Sequence, residues 1–114
     1  MHELSIVYDL VEQVESAAVQ HKFKKVNRIE LLVGEWSGVD PEALEFCFPE
    51  ATRGTCLESA QLMMTCKPLT IECSECHGTS KIAWSEAIVC AHCGSTNYTI
   101  LEGKELKIVD LDVD

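Results

Sequence analysis

Cys73-Ser74-Glu75-Cys76 is answered, after thirteen intervening residues, by Cys90-Ala91-His92-Cys93. Two Cys-x-x-Cys pairs facing each other across a short excursion can present four thiolates in a tetrahedron, the arrangement Zn²⁺ takes in closed structural sites. Each pair closes a knuckle in which two sulfurs point the same way, and two knuckles clasp one ion. Gly78 and Gly94 follow the knuckles, where the chain has to reverse. The excursion is a little shorter than the usual ribbon spacing but long enough for a small hairpin. Two disulfides or four unrelated cysteines are the alternatives. The doubled spacing favours zinc.

The chain has 114 residues, 46% of them hydrophobic. That suits one ordinary domain, or a small domain carrying a metal-stapled piece. No apolar run reaches the ~18–20 residues that cross a bilayer. Met1-His2-Glu3 supplies no basic leader, and Glu12 and Glu15 interrupt any signal-like apolar run. The expectation is a cytoplasmic protein without membrane insertion, in a reducing compartment where cysteines bind metal more often than they pair. Seven cysteines leave Cys47, Cys56 and Cys66 outside the quartet. Their apolar neighbours predict buried thiols.

Formal net charge is −10. Four thiolates on one Zn²⁺ would take it to about −12, a field that repels phosphate backbones and draws in cations and basic protein surfaces. Within residues 71–101, Glu72, Glu75 and Glu86 face a single Lys81. Nucleic-acid binding needs a basic footprint, and this ribbon has none. A cationic cluster does occur at Lys22, Lys24, Lys25 and Arg28, far from the cysteines. It reads either as a solvated helix end or as a docking surface.

Working outward, Leu4, Val7, Leu10, Val11, Val14 and Ala18 fall at three- and four-residue steps, which predicts an amphipathic helix over 4–20. Arg28–Gly34 is short and rich in β-branched and apolar residues, a strand. Asp40-Pro41-Glu42 carries a helix-start signature: Asp as N-cap, Pro in the first turn, then an acid. That second helix should bury Ala43, Leu44, Cys47 and Phe48, with Pro49 kinking or restarting it before Gly54. Leu62, Met64 and Cys66 alternate with Met63 and Thr65 in a strand that Pro68 ends. Short strands are expected near Ile71, at 79–84 and at 98–101, and a last strand holds Leu106, Ile108, Leu111 and Val113. The last strand most simply rejoins the first half. The expected fold class is α+β: two helices on a three-stranded mixed sheet, with an inserted zinc-ribbon-like subdomain. Residues 1–70 with 102–114 form the first unit, and 71–101 the ribbon.

Met1-His2-Glu3 has its own chemistry when the α-amine is free. That amine, the deprotonated His2 amide nitrogen and the His2 imidazole can chelate one ion in fused rings, with the Glu3 amide filling a fourth corner. Square-planar nitrogen donors suit Ni(II) or Cu(II). The Glu3 carboxylate, or an acid such as Asp40, can add an axial oxygen. A His at position 2 also occurs as a plain exposed terminal residue, and these residues alone leave both readings open.

Met1-His2-Glu3-Leu4-Ser5, the Leu32–Val39 segment, Glu45-Phe46-Cys47-Phe48, Arg53-Gly54-Thr55 and the cysteine quartet occur in that order. Together they resemble the HypA/HybF family of hydrogenase nickel-incorporation proteins over essentially the whole chain. The resemblance implies a nickel metallochaperone that delivers Ni²⁺ to the [NiFe]-hydrogenase large subunit together with the GTPase HypB, with urease maturation a further role in some members. It implies nickel at His2 with Met1 and Glu3, Asp40 as a possible extra ligand, and structural Zn²⁺ on Cys73, Cys76, Cys90 and Cys93. His77 and His92 sit where some relatives are thought to exchange His for Cys with pH. By themselves they read as exposed ribbon histidines.

No nucleophile is paired with a base and no Gly-rich phosphate loop appears, so capture and release is expected rather than catalysis. The rival classes are a zinc-ribbon module for protein or nucleic-acid binding, a rubredoxin-like iron carrier and a dithiol oxidoreductase, the last needing an exposed, low-pKa cysteine pair.

Overall fold

The computed structural model describes residues 3–114. Its elements run α1 (Glu3–His21), β1 (Val26–Gly34), α2 (Pro41–Ala51), β2 (Gln61–Lys67), β3 (Leu69–Cys73), β4 (Thr79–Ile82), β5 (Tyr98–Glu102) and β6 (Leu106–Val113). They form two three-stranded sheets, β2-β1-β6 and β4-β3-β5, in a molecule of 52 × 26 × 18 Å. Among the described residues, no helix is long and apolar enough to cross a membrane.

In the first sheet β1 is central. It pairs parallel with β2, with Leu31 opposite Met64, and antiparallel with β6, with Leu31 opposite Ile108. The sheet is therefore mixed, as expected. A parallel pair needs a crossover, and α2 supplies it. Alternation sends Ile29, Leu31 and Val33 into the core, where the apolar faces of both helices cover them. On α1 the buried stripe is Ile6, Val7, Leu10, Val14 and Ala18. Leu4 was expected in that stripe but is 42% exposed, and Ile6 is buried in addition to the expected residues. The helix closes where Lys22 turns left-handed at φ 61° and the Phe23 N–H reaches back to the Ala18 carbonyl at 3.1 Å.

Asp40 caps α2 as its sequence implies: it is extended at φ −90°, ψ 110°, and its carboxylate accepts the Glu42 N–H at 3.0 Å. Pro49 neither restarts nor ends the helix, which continues to Ala51. It lies close enough to the C-terminus that its ring displaces only the hydrogen bond toward Glu45, and both residues are exposed, so water can serve that carbonyl. Thr52 then ties the end down, donating from its N–H and Oγ1 to the Phe48 carbonyl at 3.0 and 2.8 Å. Leu44 and Phe48 are buried as expected, Ala43 and Cys47 only partly, and Ala51 joins them.

The second sheet centres on β3, antiparallel to both β4 and β5. Its core is small: Leu69, Ile71 and Ile82, with Trp36, Ile88, Tyr98 and Ile100 packed around them. Trp36 belongs to the loop after β1, so the first unit reaches into the core of the second. The same loop is stitched to both chain crossings between the sheets. Glu35 N–H donates to Lys67 O at 2.8 Å, Trp36 N–H to Gly103 O at 2.8 Å, and Gly34 N–H to Glu105 O at 2.7 Å.

Candidate metal centres

The two Cys-x-x-Cys turns fold alike. In the first, the His77 N–H donates to Cys73 O at 3.0 Å and Cys73 N–H to Gly78 O at 2.9 Å; in the second, Gly94 N–H donates to Cys90 O and Cys90 N–H to Ser95 O, both at 2.9 Å. The left-handed residue that completes each knuckle is Gly94 (φ 77°) in the second but His77 (φ 62°), not Gly78, in the first. Gly78 serves a different need: a Cβ there would stand 2.6 Å from the His92 ring.

The four ligand sulfurs lie within 4.8 Å of one another. Across the knuckles, Cys73 Sγ is 3.5 Å from Cys93 Sγ, and Cys76 Sγ is 3.5 Å from Cys90 Sγ. Tetrahedral Zn–S bonds of ~2.3 Å require sulfur–sulfur edges of ~3.8 Å, so the cage is of the right size. Cys73 and Cys90 are buried, Cys76 and Cys93 exposed. Main-chain N–H groups of Cys76 and Glu75 reach Cys73 Sγ at 3.4 Å and lower its pKa. Those of Cys93 and His92 bring Cys90 down to about 6. Hydrogen bonds to a thiolate favour the ionised form that a metal requires. The donor set and its spacing fit structural zinc.

Both histidines expected to be exposed are so. His92 nevertheless has a role within the ribbon: its Nε2 is 3.0 Å from the Thr79 carbonyl, tying the second knuckle to β4.

Of the four N-terminal candidates, Met1 and His2 lie outside the described residues. Glu3 opens α1, and its Oε2 accepts the Asp40 N–H at 3.2 Å. Two acids 37 residues apart in sequence thus meet where the first turn of α1 touches the cap of α2. One Asp40 oxygen serves the cap through Oδ1.

The remaining thiols divide. Cys56 is half-buried, and burial with the neighbouring Glu15 carboxylate pushes its pKa up to about 11. Its N–H donates to Glu15 Oε1 at 2.8 Å, holding the segment after α2 against α1. Cys47 is also half-buried, whereas Cys66, expected inside, is exposed at the end of β2. Cys66 is in phase with the partly buried Leu62 and Met64, but the alternation breaks at this position, near the end of an outer strand with a neighbour on one side only.

Sequence reasoning missed the Trp36–Trp84 pair, whose ring centroids are 5.1 Å apart with planes at 66°. Neither residue has periodic neighbours that would announce a contact between loop and ribbon.

The mixed sheet with its crossover helix, the four-thiol ribbon and the contact between Glu3 and Asp40 define a small α+β protein with a candidate metal centre. Comparison with known proteins makes this specific. The family model described as "Hydrogenase/urease nickel incorporation, metallochaperone, hypA" matches residues 1–113, and the chain belongs to that family. Similar proteins include the hydrogenase maturation factors HypA of Psychromonas ingrahamii, 39% identical over all of this chain and 99% of the relative, and of Syntrophus aciditrophicus, 38% identical over all of both chains. A solution structure of the Ni metallochaperone HypA from Helicobacter pylori is 26% identical, with a TM-score of 0.72, over 99% of this chain and 97% of that one.

Proposed function

We propose that the chain captures Ni²⁺ at its N-terminus and hands it to the [NiFe]-hydrogenase large subunit during maturation, acting as a carrier and not as an enzyme. The observation that carries this reading is the contact between Glu3 and the Asp40 main chain. It sets Glu3, in the first turn of α1, against the residue that caps α2. The terminal amine, the main-chain amides of His2 and Glu3 and the His2 imidazole supply planar nitrogen donors, and Asp40 or Glu3 an added oxygen. A chelate at a chain end can peel away donor by donor, which suits a site that must release its cargo. Because amide and imidazole must lose protons to bind, affinity falls with acidity.

In this reading residues 1–70 with 102–114 handle nickel, and residues 71–101 hold structural Zn²⁺ on Cys73, Cys76, Cys90 and Cys93. The work is cytoplasmic, and the client is a hydrogenase, with urease maturation a second candidate. A zinc-ribbon module that binds protein or nucleic acid without nickel is the rival, and the acidity of the ribbon weighs against nucleic acid.

The test is nickel titration of tag-free, zinc-loaded protein by calorimetry and native mass spectrometry. The parent is expected to bind one Ni²⁺. His2→Ala, and a form with one residue added before Met1, should weaken binding by more than the ~100-fold that loss of an outer-shell partner can cost. Asp40→Asn keeps the helix cap, since Asn caps as well as Asp, so a loss of about tenfold there reports the carboxylate and not the helix. Binding by both N-terminal variants that matches the parent would move nickel elsewhere and sink the reading.

HypB, the GTPase expected as partner, has a natural dock at the basic end of α1, where Lys22, Lys24 and Lys25 are all exposed. Reversing Lys24 and Lys25 to Glu should lower affinity for the GTPase roughly tenfold at low salt, with the gap closing as salt rises. Unaltered affinity at low salt would exclude this patch.

A further inference from the structure

On the side that carries Asp40, a cavity of about 510 Å³ opens between the two units. The residues that line it include the acids Glu35 and Asp40, Cys66 and, from the ribbon, Trp84; among the described residues no Lys or Arg lines it. Trp84 is 63% exposed although Trp36 meets it in an edge-to-face arrangement. Much of this large residue stays open to solvent. The face of an indole attracts cations, and more strongly where carboxylates add to the field.

The cation that suits this cleft is not a bare metal ion. Among the described residues, the four ribbon cysteines alone bring three or more ligand atoms within 4.8 Å, so Glu35, Asp40 and Cys66 are too dispersed to coordinate one ion. A guanidinium matches better. It is planar enough to lie on an indole, weakly hydrated, and long enough across its fork to reach carboxylates that stand apart.

We propose that this cleft receives an arginine side chain from an incoming protein, stacked on Trp84 and directed toward Glu35 and Asp40. The inference deepens the nickel reading and rests on it in one respect: Asp40 is shared. An arginine drawn to Asp40 takes the negative charge that would help to hold Ni²⁺, so docking weakens metal binding, and bound metal weakens docking by the same factor. The receiving protein would then trigger release by arriving.

The experiment titrates zinc-loaded, nickel-free protein with the capped peptide acetyl-Gly-Arg-Gly-amide while following the Trp84 indole N–H by NMR. The control is the same peptide with citrulline, which keeps the shape and loses the charge. A saturable shift is expected at low salt with a dissociation constant on the order of 1 mM, and none with citrulline. Glu35→Gln should weaken it about fivefold, the reach of one exposed ion pair. No saturable shift, or an equal one with citrulline, overturns the proposal. A second arm adds Ni²⁺: saturating arginine peptide should weaken nickel binding at least about twofold through Asp40. Nickel binding unmoved by the peptide would overturn the link to Asp40. Failure of the parent to bind nickel at all would instead defeat the nickel reading, and leave the first arm to judge the cleft.

Discussion

Removing zinc with a chelator, or replacing Cys90 with Ser, is expected to dissolve the second sheet while the first stays folded. The reason is the difference between the two cores. The first unit buries an extended set of large side chains, among them Ile29, Leu31, Leu44, Phe48 and Leu57. The second buries Leu69, Ile71 and Ile82, and two more of its buried positions are the ligands Cys73 and Cys90. A segment running from residue 69 to 102 falls below the ~40 residues at which apolar burial alone usually sustains a fold. Structural zinc in small sites contributes an apparent ~10–16 kcal/mol at neutral pH, which is more than such a core can replace. Without the ion, four sulfurs that lie within 4.8 Å repel where ionised, and Cys73 and Cys90 are left as buried thiols without a metal. Hydrogen exchange read amide by amide is the direct measurement. Ile71 and Ile82 should lose protection on chelation while Ile29 and Leu31 keep theirs. Ribbon amides that stay protected in zinc-free protein would show that the hairpins stand without the metal, and a docking arm stiffened by zinc would have to be abandoned. Partner binding should fall with the sheet, since the arm that presents Trp84 would no longer be ordered.

The helices, strands and cysteine knuckles were legible in the residues where each rests on a local pattern. Three- and four-residue steps marked α1, a short β-branched and apolar run marked β1, alternation marked β2, and the doubled Cys-x-x-Cys marked the ribbon. The cap at Asp40 could be read from three letters. The hidden features depend on residues distant in sequence. That Glu3 and Asp40 meet comes from how α1 and α2 cross, and no local pattern encodes a crossing. Trp36 could be placed in a loop, but not inside the core of the other unit. Pro49 was expected to kink or restart the helix, and the restart does not occur, for a related reason. A proline breaks a helix by removing one hydrogen bond and crowding one carbonyl, and how much that matters depends on whether later residues secure the helix end. Here Thr52 rescues that end by bonding back to Phe48. Cys66 was expected inside on hydropathy, yet lies at the exposed end of a strand that has only one neighbour. At the N-terminus the sequence offers chemistry, and the described residues add the contact between Glu3 and Asp40.

Gly103→Ala is expected to be the most damaging single-methyl change outside the metal site. Gly103 lies in the return from β5 to β6 and has φ 116°, a conformation that a residue with a Cβ rarely adopts. Strain is half of the difficulty. A Cβ there would sit 2.4 Å from Leu69 Cα and 2.7 Å from the Pro68 carbonyl oxygen, so backbone and not a yielding side chain stands in its way. The same spot receives the other crossing: a Cβ on Gly34 would lie 2.2 Å from the Gly103 carbonyl oxygen. Three backbone segments therefore pass within contact of one another, and the Trp36 N–H bond to Gly103 O crosses the gap. Strain at such a position costs about 1–3 kcal/mol, and displacing packed backbone adds enough to make a total of roughly 3–5 kcal/mol. Against a total stability of about 5–15 kcal/mol for a domain, that is a large fraction. Gly38→Ala is the control: its φ is 83°, but nothing lies within 4 Å of the added Cβ, so the conformational penalty stands alone at about 1 kcal/mol. Thermal and denaturant melts should rank the two variants far apart. Tryptophan fluorescence should also change in Gly103→Ala, because parting the crossings moves Trp36 away from Trp84. Equal losses of stability in the two variants would mean that the crossing yields easily, and that the units are joined by a loose tether. A large loss at Gly103 alone would place the mechanical link between the helical unit and the ribbon at this point, where the loop that leads to Asp40 is bonded to both chain crossings between the sheets.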